Sequence, residues 1–184
     1  AGAANDVPRS RSAWTIDHLD RDPNLATLRN EGGPDVLLPG QAAVKYSWTL
    51  KMSDILGPNA PKMKLFAVTP HMHQRGTAEQ MTVNIDGVDA CAVDVPRWDF
   101  NWQRGYVYDV PIESAPEFRP GDKLHIRCKY NNTLSNPAVV KALRDRRESE
   151  PKDVYLGEET LDEMCLAVIM AAAPNPFYAA PEGQ

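Results

Sequence analysis

Short apolar runs, each broken by turn residues, set the strongest limit on what this chain can fold into. The clearest run lies at 43–52. There Val44, Tyr46, Trp48, Leu50 and Met52 alternate with Ala43, Lys45, Ser47, Thr49 and Lys51. A period of two gives a strand one buried face and one wet face. Pro outnumbers Gly, 16 to 11, and Pro-containing breaks recur between the runs. Such punctuation suits an all-β domain with many turns better than a helical bundle.

The remaining runs extend the pattern. Lys64 to His73 reads as a strand covered on both faces. Met81 to Val93 reads as a hairpin with Asp86-Gly87 as its tight turn. Tyr106 to Ile112 alternates again. Phe118 to Asp122 is a turn feeding a strand from Lys123 to Tyr130. On that strand Leu124, Ile126 and Cys128 share one face, and Lys123, His125 and Arg127 the other. The last strand is expected from Met164 to Ala171. Before it lies an insertion in which Asn136 caps a short helix that begins on Pro137. The charge run Arg144 to Glu150 is read as that helix's solvated face.

The expected fold is all-β: an antiparallel, jelly-roll-like β-sandwich with one short helix in an insertion. It is placed at 37–174. Residues 1–36 are read as an irregular lead-in or linker, tacked down by Trp14, Ile16 and Leu19, and 175–184 as a tail. A chain of 184 residues is long enough for one domain with a full core. Its net charge of −5 gives no general pull toward nucleic acid or anionic membrane. No apolar run nears the roughly 18 residues that span a bilayer. No secretory signal is visible at Ala1, so the expectation is a chain whose signal was removed, or a fragment.

His71-Met72-His73 is the first candidate for chemistry. Residues two apart on a strand point to the same side, so both imidazoles can clamp one metal ion. On a helix the same spacing splays them roughly 200° apart. The bland alternative is two unrelated polar residues at a strand end. The second candidate is Met164. A lone Met is ordinarily core filler, but Cys165 follows it. With Cys165 pointing inward, Met164 points to the opposite face, and Cys165 can pair with Cys128 on a neighbouring strand. Three cysteines allow at most one internal bridge and one free thiol. Two imidazoles and a soft thioether suit copper, Cu(I) above all, whereas zinc prefers Cys, His or carboxylate.

Those residues belong to an ordered series. His71-Met72-His73-Gln74-Arg75-Gly76 is followed by Arg119-Pro120-Gly121-Asp122, by Cys128-Lys129-Tyr130-Asn131-Asn132-Thr133, and by Asp162-Glu163-Met164-Cys165. Over roughly 37 to 173 the series resembles the C-terminal domain of the type II, ascorbate-dependent copper monooxygenases. Peptidylglycine α-hydroxylating monooxygenase and dopamine β-hydroxylase belong to that family. Trp98-Asp99-Phe100-Asn101-Trp102 and the longer insertion are similar to bacterial members. The resemblance implies one copper per chain on His71, His73 and Met164, where O₂ and a small-molecule substrate meet. It implies a Cys128–Cys165 disulfide, an extracytoplasmic (periplasmic or secreted) location, and an electron donor in another domain or protein.

The chain also departs from the family. The peptide-amidating enzyme holds its peptide with an Arg two residues before the first His and a Tyr three residues after the Cys. Those places here are Thr69 and Val168, so a peptide carboxylate is not the expected substrate. The family's second copper needs three further histidines, and only His18 and His125 remain. His125 is expected to be structural. One Cu(I) supplies one electron and monooxygenation needs two, so the second must come from elsewhere.

Three alternatives stand beside this. A copper carrier or a structural module would keep the site without turnover. A cupin-type metalloprotein would use His71 and His73 with Glu79, but Glu79 lies too far along and Met164-Cys165 is left unexplained. Cys91 is a buried thiol or, alternatively, half of an intermolecular bridge. Asn131-Asn132-Thr133 fits a glycosylation acceptor only in a eukaryotic secretory setting.

Overall fold

The computed structural model describes residues 36–173 apart from 156, 158 and 160. Nearly all of the expected lead-in, with Trp14, Ile16 and Leu19, and the whole of the expected tail lie outside the described residues, as does His18. Ten strands are described: β1 (Val36–Leu37), β2 (Val44–Lys51), β3 (Met63–His71), β4 (Gly76–Ile85), β5 (Val88–Val95), β6 (Tyr106–Val107), β7 (Glu117–Phe118), β8 (Lys123–Tyr130), β9 (Val154–Tyr155) and β10 (Leu166–Ala172). Two α-helices accompany them, α1 (Met52–Leu56) and α2 (Pro137–Arg146).

The pairing is antiparallel throughout. One sheet runs β2-β8-β4-β5. The other runs β10-β3-β6, with β7 also on β3, and β1 pairs with β9 separately. The expected all-β sandwich with a short helix is what forms. Its core takes Tyr46 and Leu50 from β2, Val68 from β3, Met81 from β4 and Ile126 from β8, all nearly or wholly buried. The hairpin turn is Asp86-Gly87, and both residues hold positive φ, 51° and 81°, as a two-residue turn of this hand needs. Asn136 caps α2 by accepting from the Ala138 N–H. No described helix is long and apolar enough to cross a membrane.

Four details differ from the sequence reading. β2 stops at Lys51 because Met52 turns into α1, where its N–H donates to Asp122 O and its side chain is fully buried. The second α-helix was therefore not foreseen. The alternation at 106–112 yields only a two-residue strand. Tyr108 then bonds inward to the Ala92 carbonyl, and Pro111, which has no N–H to donate, precedes a 3₁₀ turn at Ile112–Ser114. β10 begins at Leu166, so Met164 precedes the strand. Finally, the supposed wet face of the four-stranded sheet is not wet at its middle. Thr49, Thr82 and His125 are buried there, with Thr49 Oγ1 2.8 Å from His125 Nδ1. Parity assigns a side, not a depth.

Cys128 on β8 and Cys165 before β10 form a disulfide, with Cα atoms 5.8 Å apart and 37 residues of separation. It ties the two sheets together. Cys91 is the free thiol, half-buried, and burial first, then Asp94, pushes its pKa to about 11.

Peptide mapping without reductant is expected to find Cys128 joined to Cys165. Replacing both by Ala should lower unfolding free energy by roughly 3–4 kcal/mol in the chain-entropy account. At pH 8 a raised value leaves Cys91 protonated, so native alkylation should run roughly a hundredfold slower than in the unfolded chain. Both bridge thiols free, or a rapidly alkylated Cys91, would contradict these assignments.

Candidate metal centre

His71 is the last residue of β3, and Leu166, the first of β10, lies directly opposite it. Met72 then drops into the core with no exposed surface. His73 follows just past the strand end, not within the strand as its spacing suggested. The two rings nevertheless meet. Their centres are 5.2 Å apart and their planes nearly perpendicular, at 89°.

The turn that carries His73 is fixed from several directions. Glu163 is fully buried, and its carboxyl accepts from the His73 N–H at 3.0 Å and the Arg75 N–H at 2.5 Å. Burial pushes that carboxyl up to about 7, against the pull of those N–H donors and the Arg75 charge. Arg75 in turn donates to Asn132 and to the Leu161 carbonyl. Gly76 begins β4 where a Cβ would stand 2.9 Å from both Met72 and Trp98, so a larger residue cannot sit there without displacing them. Trp98 donates from its indole to the His73 carbonyl.

The ring nitrogens are fixed as well. Gln103 Nε2 donates to the Phe100 carbonyl, which leaves Oε1 as the acceptor facing His71 Nδ1 at 2.6 Å. His73 Nδ1 lies 2.9 Å from the Asp162 carbonyl, which can only accept. Each neutral ring therefore carries its proton on Nδ1 and leaves a lone pair on Nε2. That is the second-sphere arrangement of a metal-binding histidine. Two imidazoles sharing one ion at about 2.0 Å place their ring centres roughly 5 Å apart at tetrahedral to trigonal angles. The observed spacing fits.

Met164 lies on the segment that touches both histidines. Asp162 meets His73 on one side of it, and Leu166 pairs with His71 on the other. The opposite sheet holds its backbone. Tyr130 donates to the Met164 carbonyl at 2.6 Å, and Trp48 donates to the Cys165 carbonyl at 2.7 Å, next to the disulfide. Cys165 is buried while Met164 is half-exposed. Among the described residues no three His, Cys, Asp or Glu side chains gather so as to hold a metal.

The remaining candidates lie elsewhere in the sheets, although the His71 backbone is close enough to act on the Glu79 carboxyl. Glu79 is wholly buried in the row Tyr46–Cys128–Glu79, and burial drives its carboxyl well above the ordinary range. A buried Glu79 in an open sandwich does not make a cupin site. His125 lies on β8, bonded to Thr49. Thr69 and Val168 face each other across β3 and β10. Gln103 and the role of Glu163 escaped the sequence reading. Neither has a diagnostic spacing, although Glu163 sits within a quoted motif. Comparison with protein-family models and with curated proteins finds no match for this chain.

Long-range proton–nitrogen correlation spectra of the metal-free protein at about pH 8.5, well above the ordinary histidine value, are expected to show His71 and His73 both protonated on Nδ1. Gln103→Leu should release His71 to a mixture of tautomers and leave His73 as it was. Either ring carrying its proton on Nε2 in the wild type would overturn the assignment.

Proposed function

We propose that this chain holds one copper ion between His71, His73 and Met164, as the catalytic copper domain of a monooxygenase-like protein. One observation supports this most. The partners of both Nδ1 atoms leave Nε2 free on two rings whose centres are 5.2 Å apart, on chain next to a methionine whose backbone is clamped. Imidazole with thioether favours copper over harder or more oxophilic metals. Copper at such a site supplies one-electron chemistry toward O₂.

The chain's own residues do the positioning. Gln103 and the Asp162 carbonyl aim the rings, Glu163 fixes the turn, and Tyr130 with Trp48 fixes the methionine segment. Hydroxylation converts a C–H to a C–OH, with the second oxygen atom leaving as water. It consumes two electrons and two protons per O₂. A single Cu(I) covers one electron, so a one-electron reductant of the ascorbate class, or a donor domain or protein, supplies the rest. The disulfide fits maturation in an oxidising, extracytoplasmic compartment.

Competition titrations with a Cu(I) chelator and a Cu(II) chelator check this. One equivalent should bind per chain. Met164→Ala should weaken Cu(I) on the order of tenfold or more and Cu(II) far less, because Cu(II) prefers nitrogen and oxygen donors. Equal losses in both oxidation states, or none, would remove Met164 from the site.

A further inference from the structure

The outward face of the β2-β8-β4-β5 sheet carries a polar row. Ser47, Arg127, Gln80 and Asp94 lie opposite one another on successive strands. On the next outward row Lys45 lies opposite Lys129, and Lys129 opposite Ala78. A cavity of about 180 Å³ is lined by Lys45, Ala78, Gln80, Asp94, Pro96 and Lys129. That is room for a small organic molecule and not merely for one water.

Gln80 is only 4% exposed, yet neither its Oε1 nor its Nε2 has a hydrogen-bond partner among the described residues. Buried amides in folded proteins are almost always bonded, because hydration lost without replacement is costly. This amide calls for a partner that accepts from Nε2 and donates to Oε1. The charges around it form two poles. Lys45 and Lys129 are exposed, directly opposed, and in no ion pair among the described residues. Like charges so placed repel each other. Asp94 stands on β5, across β4 from Lys129, and is also in no ion pair among the described residues. Burial raises its pKa and Lys129 lowers it, so the two charges sense each other without touching. A simple anion would relieve the lysines but would face Asp94 and leave Oε1 unbonded. A simple cation would do the reverse.

We propose that this cavity binds a small zwitterion, an α-amino acid with a short apolar side chain. Its carboxylate lies toward Lys45 and Lys129 and accepts from Gln80 Nε2. Its ammonium lies toward Asp94 and donates to Gln80 Oε1. Its side chain rests on Ala78 and Pro96. The site is on the sheet that does not carry the histidines, and it is independent of the copper proposal.

The test uses three probes with one hydrocarbon body: L-valine, 3-methylbutanoate, which lacks the ammonium, and 2-methylpropylamine, which lacks the carboxylate. Binding to the full chain is read from the NMR signal of the Gln80 side-chain amide. Valine should shift that signal saturably, with a Kd of about 1 mM or tighter, as ligands of this size allow. Each single-charge probe should bind at least about tenfold more weakly, since it leaves one pole and one end of the amide unpaired. Asp94→Asn should weaken valine about tenfold and leave 3-methylbutanoate unchanged or slightly tighter, because only valine carries the ammonium. Lys129→Ala should weaken valine and 3-methylbutanoate alike. Gln80→Leu, read by calorimetry, should abolish valine binding without lowering the melting temperature, because it removes an amide that has no partner to lose. No saturable shift with valine up to about 10 mM, a single-charge probe that binds as tightly as valine, or an Asp94→Asn chain that binds valine as well as wild type would overturn the proposal. So would a Gln80→Leu chain that keeps valine binding.

Discussion

One buried carboxyl group holds the site together. Glu163 has no exposed surface, and it takes the N–H groups of both His73 and Arg75. A carboxyl is stable in such a place only when backbone donors replace the water it lost. Hydrogen bonds of this kind contribute roughly 1.5–3 kcal/mol where the acceptor is charged. They also impose geometry. They bind the turn after β3 to the segment before β10, two pieces of chain some ninety residues apart. Together with the His73 Nδ1–Asp162 contact, that junction sets the place of His73 relative to Met164.

The four-stranded sheet acts as a template on the other side of the same segment. Trp48 on β2, with Cys128 and Tyr130 on β8, reaches across the sandwich to residues 164 and 165. Each is anchored in a strand that is paired along its length. The methionine segment is thus held by rigid elements before any ligand arrives. A ligand set built on such elements would need little reorganisation to bind.

Much of this was legible in the residues. The alternation at 44–51 named its own buried face, and Asp86-Gly87 marked its turn because few other pairs tolerate positive φ twice running. His71 and His73 were expected to share one face of a strand; the strand ends between them, and their ring centres lie 5.2 Å apart. Other features carry no local signal. Tyr106 to Ile112 alternates well, but a strand also needs a paired neighbour, and only two of its residues find one. Thr49 and His125 show that a polar residue on the outer parity can still be buried against another polar residue. Gln103 is joined to His71 across 32 residues by tertiary packing alone. Glu163 stood in plain view beside Met164, but only the fold reveals which N–H groups it receives.

The central claim is that imidazole and thioether from these three residues share one copper ion. X-ray absorption at the copper edge, on the reduced, stoichiometrically loaded chain, tests it most directly. Two nitrogen scatterers at about 2.0 Å and one sulfur at about 2.3 Å are expected, near the lengths such donors adopt with metals of this size. The sulfur shell should vanish in Met164→Ala while the nitrogens remain. A wild-type spectrum with nitrogen or oxygen scatterers only, or a sulfur shell that persists in the variant, would contradict it.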